Sequence, residues 1–250
     1  MNPIAAKENI VAIIEARMSS NRLPGKVLMT LAGEPVLAHI VRRAKTIHSL
    51  SQVVIATTTN PRDDAIVAFA QSEEVAVFRG SEKDVLGRVF SAARAFDADA
   101  VLELTGDNPI LDCKLAGQLI RIFKTNQFDL VTNNFKRTFP MGVDMSMVSM
   151  NALSRSASEA KEEEDREHVL RFIHQRPRLF SIYNSEAPPE MLWPSLALTL
   201  DEADDLCFLS RVFEDLFPVD PMFGLDKVIA YLQCNPNLVE INRQVKRRFL

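Results

Sequence analysis

Glycine is scarce in this chain. There are eight among 250 residues, where average usage would give about 17. A chain this sparing places glycine mainly where backbone geometry demands it. Gly25, Gly80, Gly106 and Gly142 fall in loops that carry the motifs below, and Gly33 falls in the stretch after the first of them. Cysteine is scarcer still. Cys113, Cys207 and Cys234 are odd in number, far apart and without CxxC or Cys/His metal spacing, which argues against a disulfide framework or a structural zinc site. Long hydrophobic runs are missing as well: the apolar run at 10–14 is ended by Glu15, too early for a membrane span or a signal peptide's apolar region. Positive charge is not in excess, with 29 Lys and Arg against 33 Asp and Glu and a net charge of −4. No basic field exists to hold a nucleic-acid backbone. The expectation is a reduced, cytoplasmic protein that binds neither membrane nor nucleic acid.

What is present is ordinary globular composition, 47% hydrophobic and 25% charged, which excludes disorder and coiled coil for the bulk of the chain. Its length allows one large α/β domain or two small ones, and the expectation is a single domain, 1–250, with a sizeable core. No repeat or Gly/Ser linker divides it. Short apolar runs alternate with amphipathic stretches. Strands are expected at 10–15, 52–57, 75–78, 100–105 and 129–132, and helices at 35–47, 62–72, 84–96 and 115–124. This alternation, with continuous apolar strands, predicts a mostly parallel sheet covered on both faces. Beyond about Thr138 the pattern loosens. An antiparallel strand is expected within 142–148, one or two surface helices over 153–176 around the acidic run 162–165, and strands at 180–183 and 196–200. Helices are expected at 205–216 and 225–234, with a C-terminal helix ending Lys246-Arg247-Arg248, whose basic residues suit a helix end and solubility.

Three motifs carry chemistry. The first strand runs into ARMSSNRLPGK at 16–26, a tight loop with Arg17, Arg22, Lys26, Ser19 and Ser20 at a strand's C-terminal end, where open α/β sheets bind ligands. Exposed N–H groups and cations there suit a triphosphate, although a solvated basic loop has the same composition. The loop matches neither the GxxxxGK[ST] nor the GxGxxG phosphate-binding pattern. TGDNP at 105–109 places Asp107 after the fourth strand, and TLDE at 199–202 places Asp201 at the end of another. Each aspartate alone also suits a helix cap. With both at one edge of a parallel sheet, they suit Mg²⁺ held by two carboxylates and substrate phosphates.

These motifs, with RGSE at 79–82 followed by Asp84-Val85-Leu86, RTFPMGVD at 137–144 and Glu167-His168-Val169, resemble the SpsF-type cytidylyltransferases, relatives of the synthetases that make CMP-activated Kdo and sialic acids. The resemblance spans residues 10 to about 245 and implies a Rossmann-like nucleotide-diphospho-sugar transferase fold. It also implies a small antiparallel β insertion around 136–190 that serves dimerisation or the acceptor. The implied reaction is CTP plus an acidic sugar giving CMP-sugar and pyrophosphate, with Mg²⁺, in a homodimer. Arg17 and Lys26 match the catalytic cations. Ala16, Met18, Ser19, Ser20, Arg22, Gly80, Ser81 and Gly106 join them in binding the nucleotide. Asp107 and Asp201 match the metal carboxylates, and Arg137, Asp144 and His168 fall on the acceptor side.

The chain departs from the pattern at three positions. An arginine is usual at 103, a glutamate at 146 and an arginine at 197, where this sequence has Glu103, Ser146 and Ala197. The expectation is that 146 and 197 belong to one acceptor-side network that is gone here, so that the acceptor differs while nucleotide binding persists. Two other readings stand: a non-catalytic nucleotide-binding homologue, and a GT-A-type glycosyltransferase. The latter class usually carries Asp-x-Asp at the nucleotide, whereas Asp107 is followed by Asn108-Pro109.

Overall fold

The computed structural model describes residues 8–247. Strand β1 (Ile10–Glu15) leads through a two-residue hairpin, β2 (Thr30–Leu31) and β3 (Glu34–Pro35), into helix α1 (Val36–Lys45). Next come β4 (Gln52–Thr58), α2 (Asp64–Ser72), β5 (Ala76–Gly80), α3 (Val85–Ala95), β6 (Ala100–Thr105), α4 (Cys113–Thr125) and β7 (Leu130–Thr132). The second part holds β8 (Ser146–Ser149), α5 (Met150–Glu159), α6 (Glu163–Glu167), α7 (Arg171–His174), β9 (Ile182–Asn184), α8 (Ala203–Leu216) and α9 (Leu225–Cys234).

Seven strands form one sheet in the order β5-β4-β1-β6-β8-β7-β9. All are parallel except β8, which runs antiparallel between β6 and β7. The α/β class and mostly parallel sheet expected from the sequence are what is found. Alternate residues of β1 explain the two layers. Ile10, Ala12 and Ile14 join a core with α1, α2, α4, α8 and α9, and Val11 and Ile13 join one with α3, α5 and α7. Each face is dry, so the strands read as near-continuous apolar runs.

Four expectations are corrected. Residues 196–200 do not form a strand. Leu196, Leu198 and Leu200 point into the core, which produces the alternation, but the backbone partners are loop residues: Met141, by a single bridge at Ala197, and the Asp107 carbonyl, which accepts from Leu200 N–H at 2.9 Å. The antiparallel strand starts at Ser146 rather than 142, because Gly142 adopts φ +99° against this segment. A Cβ there would lie 2.3 Å from Leu198 C. After α9 the chain makes one 3₁₀ turn (Pro236–Glu240) and further turns to residue 247 instead of a helix, Arg248 lying outside the described residues. The acidic run is not all surface either: Asp165 is fully buried and accepts hydrogen bonds from Arg171 at 2.5 Å and Arg176 at 3.5 Å.

Candidate active site

The parallel register places the ends of β1, β4, β5 and β6 at one sheet edge, and the 16–26 loop leaves from β1 there. Two devices fix this loop. Asp63, fully buried, accepts from Met18 N–H at 2.8 Å, from the Thr58 amide and the Thr57 hydroxyl, each at 3.1 Å, and from the Thr58 hydroxyl. Gly25, at φ +76°, donates its N–H to Met18 O at 2.9 Å and turns the chain so that Lys26 enters the cleft.

Lys26 Nζ donates to Asp107 Oδ2 at 2.6 Å and to Asp201 Oδ1 at 3.0 Å. Arg22 Nη2 reaches the same Asp201 oxygen at 2.8 Å. Burial pulls the Lys26 ammonium downward, but the charges and hydrogen bonds of Asp107 and Asp201 outweigh it and hold the pKa above its ordinary value. Asp201 is not a helix cap. Glu202 is the N-cap of α8, in a capping box with Asp205, and one Asp205 oxygen takes the N–H groups of both Asp201 and Glu202. The Asp201 carboxylate is therefore directed into the site.

These groups line a cleft of about 380 Å³ that also holds Ala16, Arg17, Ser20, Gly106 and His168. Gly106 is required for the approach: a Cβ there would lie 2.7 Å from Glu15 O. Arg17 has no carboxylate within ion-pair distance among the described residues, and its only protein bond is a 3.5 Å contact from Nη1 to Glu82 O. Burial lowers the His168 pKa, so the ring is neutral near pH 7.

Other expected site residues are held elsewhere. Ser19 donates its hydroxyl to Glu82, which Asn60 also contacts at 3.0 Å; these two bonds pull the Glu82 pKa down. Met18 packs against the core and meets the site through its backbone. Gly80 and Ser81 line an adjoining groove beyond the start of α3. Arg137 and Asp144 form a bidentate pair at 2.8 and 3.0 Å.

The cleft also contains Glu15 and Arg88, which the sequence did not single out, and Val85 and Glu167, which entered the sequence reading as motif members without a role. Glu15 and Glu103 lie on adjacent strands, on one face, two register steps apart, and their carboxyl groups share a hydrogen bond. Burial and mutual repulsion push Glu103 well above the ordinary carboxylate range, and burial raises Glu15 against the pull of Arg88. Both carboxyl groups are therefore biased toward the protonated form. Glu103 is directly opposed to Ser146 in the β6–β8 register, and Ser146 bonds Thr132 at 2.7 Å. The departures at 103 and 146 are thus neighbours, whereas Ala197 meets Met141. A glutamate at 146 would face Glu103 with like charge. Arg247, expected only to aid solubility, bonds the buried Asp205 at 2.6 and 2.9 Å and lies 3.9 Å from Asp201. No local signal in the sequence links these positions.

A cytidylyltransferase family model matches residues 11–200. An uncharacterised protein of Methanocaldococcus jannaschii is 34% identical over 242 residues, covering 96% of each chain. The spore coat polysaccharide biosynthesis protein SpsF of Bacillus subtilis is 31% identical over 234 residues, 92% of this chain and 96% of its own. The solved structure of a cytidylyltransferase from Leptospira borgpetersenii superposes with a TM-score of 0.84 at 27% identity, covering 98% of this chain and 99% of that one.

Proposed function

The chain belongs to the cytidylyltransferase family and is a nucleotidyltransferase, and from that premise we propose that it moves CMP from CTP to an acidic sugar of the nonulosonic-acid or Kdo type, releasing pyrophosphate, for surface polysaccharide synthesis. The observation that carries this reading is the Lys26 ammonium between Asp107 and Asp201, with the unpaired Arg17 beside it in the same cleft. An acceptor oxygen attacks the α-phosphorus, and the bond to the β-phosphate oxygen breaks. Such a displacement asks the protein for positioning and charge neutralisation more than for covalent chemistry. Arg17 binds triphosphate oxygens, and Lys26 neutralises the charge that builds on the leaving pyrophosphate. Loop N–H groups between Ala16 and Arg22 orient the phosphates, and the close approach allowed by Gly106 lets the nucleotide lie against the ends of β1 and β6.

The donor set fits Mg²⁺. Asp107 and Asp201 turn hard oxygens toward the Lys26 ammonium, so an ion would share these two carboxylates with it, and no group of three or more His, Cys, Asp or Glu side chains able to hold a metal occurs among the described residues. Two carboxylates completed by substrate phosphates and water is a usual Mg²⁺ arrangement. When bound, the ion would polarise the α-phosphate.

His168, Arg137 and Asp144 are assigned to the acceptor side, with Glu103 and Ser146 setting its departure from the common pattern. The homodimer is assigned to the 136–190 region, where Leu179 and Tyr183 are exposed at the sheet edge formed by β9. No helix among the described residues is long and apolar enough to cross a membrane. The test is pyrophosphate release from each of the four nucleoside triphosphates with Mg²⁺ and a panel of acidic sugars. CTP with one acidic sugar should give turnover. Turnover with no nucleotide and sugar pair would count against the activity.

A further inference from the structure

Helix α6 has no apolar anchor of its own. Its five residues are Glu-Glu-Asp-Arg-Glu, and the only buried one is Asp165. Yet the two residues at its end, Glu167 and His168, line the cleft together with Val85 and Arg88 of α3. Apolar burial resumes at Val169 and Leu170, and polar bonds hold the segment between them and α5. Asp165 ties α6 to Arg171 on one side. On the other side Arg166 bonds the Ala157 carbonyl through Nη1 at 2.7 Å and pairs through Nη2 with Asp84 Oδ2. Asp84 is the N-cap of α3. Its second oxygen accepts from Gly87 N–H at 2.8 Å, and its own N–H donates to Ser81 Oγ at 3.0 Å. The close approach is built in at Gly87, where a Cβ would lie 2.2 Å from Asp84 Oδ2 and 2.9 Å from Arg166 Nη2. One guanidinium thus joins the 81–84 turn, the start of α3 and the segment that carries His168.

We propose that Arg166 is a positioning residue that couples the 80–88 segment to Glu167 and His168, so that nucleotide seated against 80–88 also fixes the wall of the cleft formed by 167 and 168. The proposal rests on the CTP reading above. By linkage, whatever α6 contributes to a second substrate is then strengthened by nucleotide and is lost without the clamp.

The test is amide hydrogen exchange on the full chain, with and without CTP and Mg²⁺. It compares wild type with Arg166→Gln, Arg166→Lys and Gly87→Ala, the last of which forces the pair apart while keeping both charges. In wild type, CTP should slow exchange at both 80–88 and 163–169, the latter about fivefold or more. In Arg166→Gln and Gly87→Ala, CTP should still protect 80–88 but no longer change exchange at 163–169, and Arg166→Lys should restore part of the effect. A purely structural role would raise exchange in 163–169 without nucleotide yet leave the CTP-induced ratio intact. That result, or full protection of 163–169 in Arg166→Gln, would overturn the coupling while sparing the CTP reading. Absence of any CTP protection in wild type would overturn both.

Discussion

Lys26 and Asp107 are 81 residues apart in the chain and 2.6 Å apart in space. The contact closes only because β1 and β6 are adjacent and parallel, so that the loops leaving them emerge at the same edge. Asp201 arrives from a third segment, on an extended stretch bonded to the loop that carries Asp107.

Removing the ammonium should disable the reaction. Lys26→Ala should lower kcat/KM at least about 100-fold, since one charge-assisted contact to the transition state is worth roughly 2.7–4 kcal/mol. The side chain is 12% exposed, and its loss leaves Asp107 without its cation, while Asp201 keeps Arg22. The melting temperature should therefore fall, and Mg²⁺ should recover part of it. Circular dichroism and steady-state kinetics check this. Wild-type turnover in the folded variant would contradict the role of Lys26.

Asp107 and Asp201 should behave as one unit. Asp107→Asn and Asp201→Asn should each raise the Mg²⁺ concentration needed for activity, and the double variant should be little worse than either single one. Losses that multiply would show two independent sites. The capping role is separable. Asp205 is fully buried and bonded by Arg247 and Asn242. Urea denaturation should show Asp205→Ala costing about 3 kcal/mol or more, because it takes the shared acceptor from a cation, two backbone amides and the Asn242 side-chain amide, and Asp201→Asn costing distinctly less.

The sequence shows most of the first half of the fold because β1, β4, β6 and β7 are apolar runs packed on both faces, whereas the two-residue strands β2 and β3 leave no such run. At 196–200 the same reasoning fails, since alternating leucines report burial and not backbone pairing. The 16–26 loop was legible because its cations and serines are contiguous. Asp63, which anchors that loop, and Arg247, which braces Asp205, were not. Each acts across dozens of residues and belongs to an unremarkable local stretch. The link between Glu103 and Ser146 is likewise a matter of register, visible only once β8 is known to lie beside β6.

The carboxyl pair gives a pH signature. Burial, and then the Glu15 charge, raise the Glu103 pKa well above its ordinary value near 4.5. The native state therefore keeps a proton that the unfolded chain releases, and stability falls as pH rises from that ordinary value toward the raised one. Glu103→Gln removes this linkage. It should raise the melting temperature at about pH 8 and change it little at about pH 3.5, where the carboxyl is protonated in both states. Equal effects at both pH values would mean that the Glu103 pKa is not raised.

In the proposed function, the cleft at the ends of β1 and β6 binds CTP with a divalent cation. Calorimetric titration of CTP into the wild-type protein, with and without Mg²⁺, tests it most directly. Saturable binding that strengthens with Mg²⁺ and is lost in Lys26→Ala is expected. No measurable CTP binding at any Mg²⁺ concentration would contradict it and favour a homologue that has kept the fold without the nucleotide site.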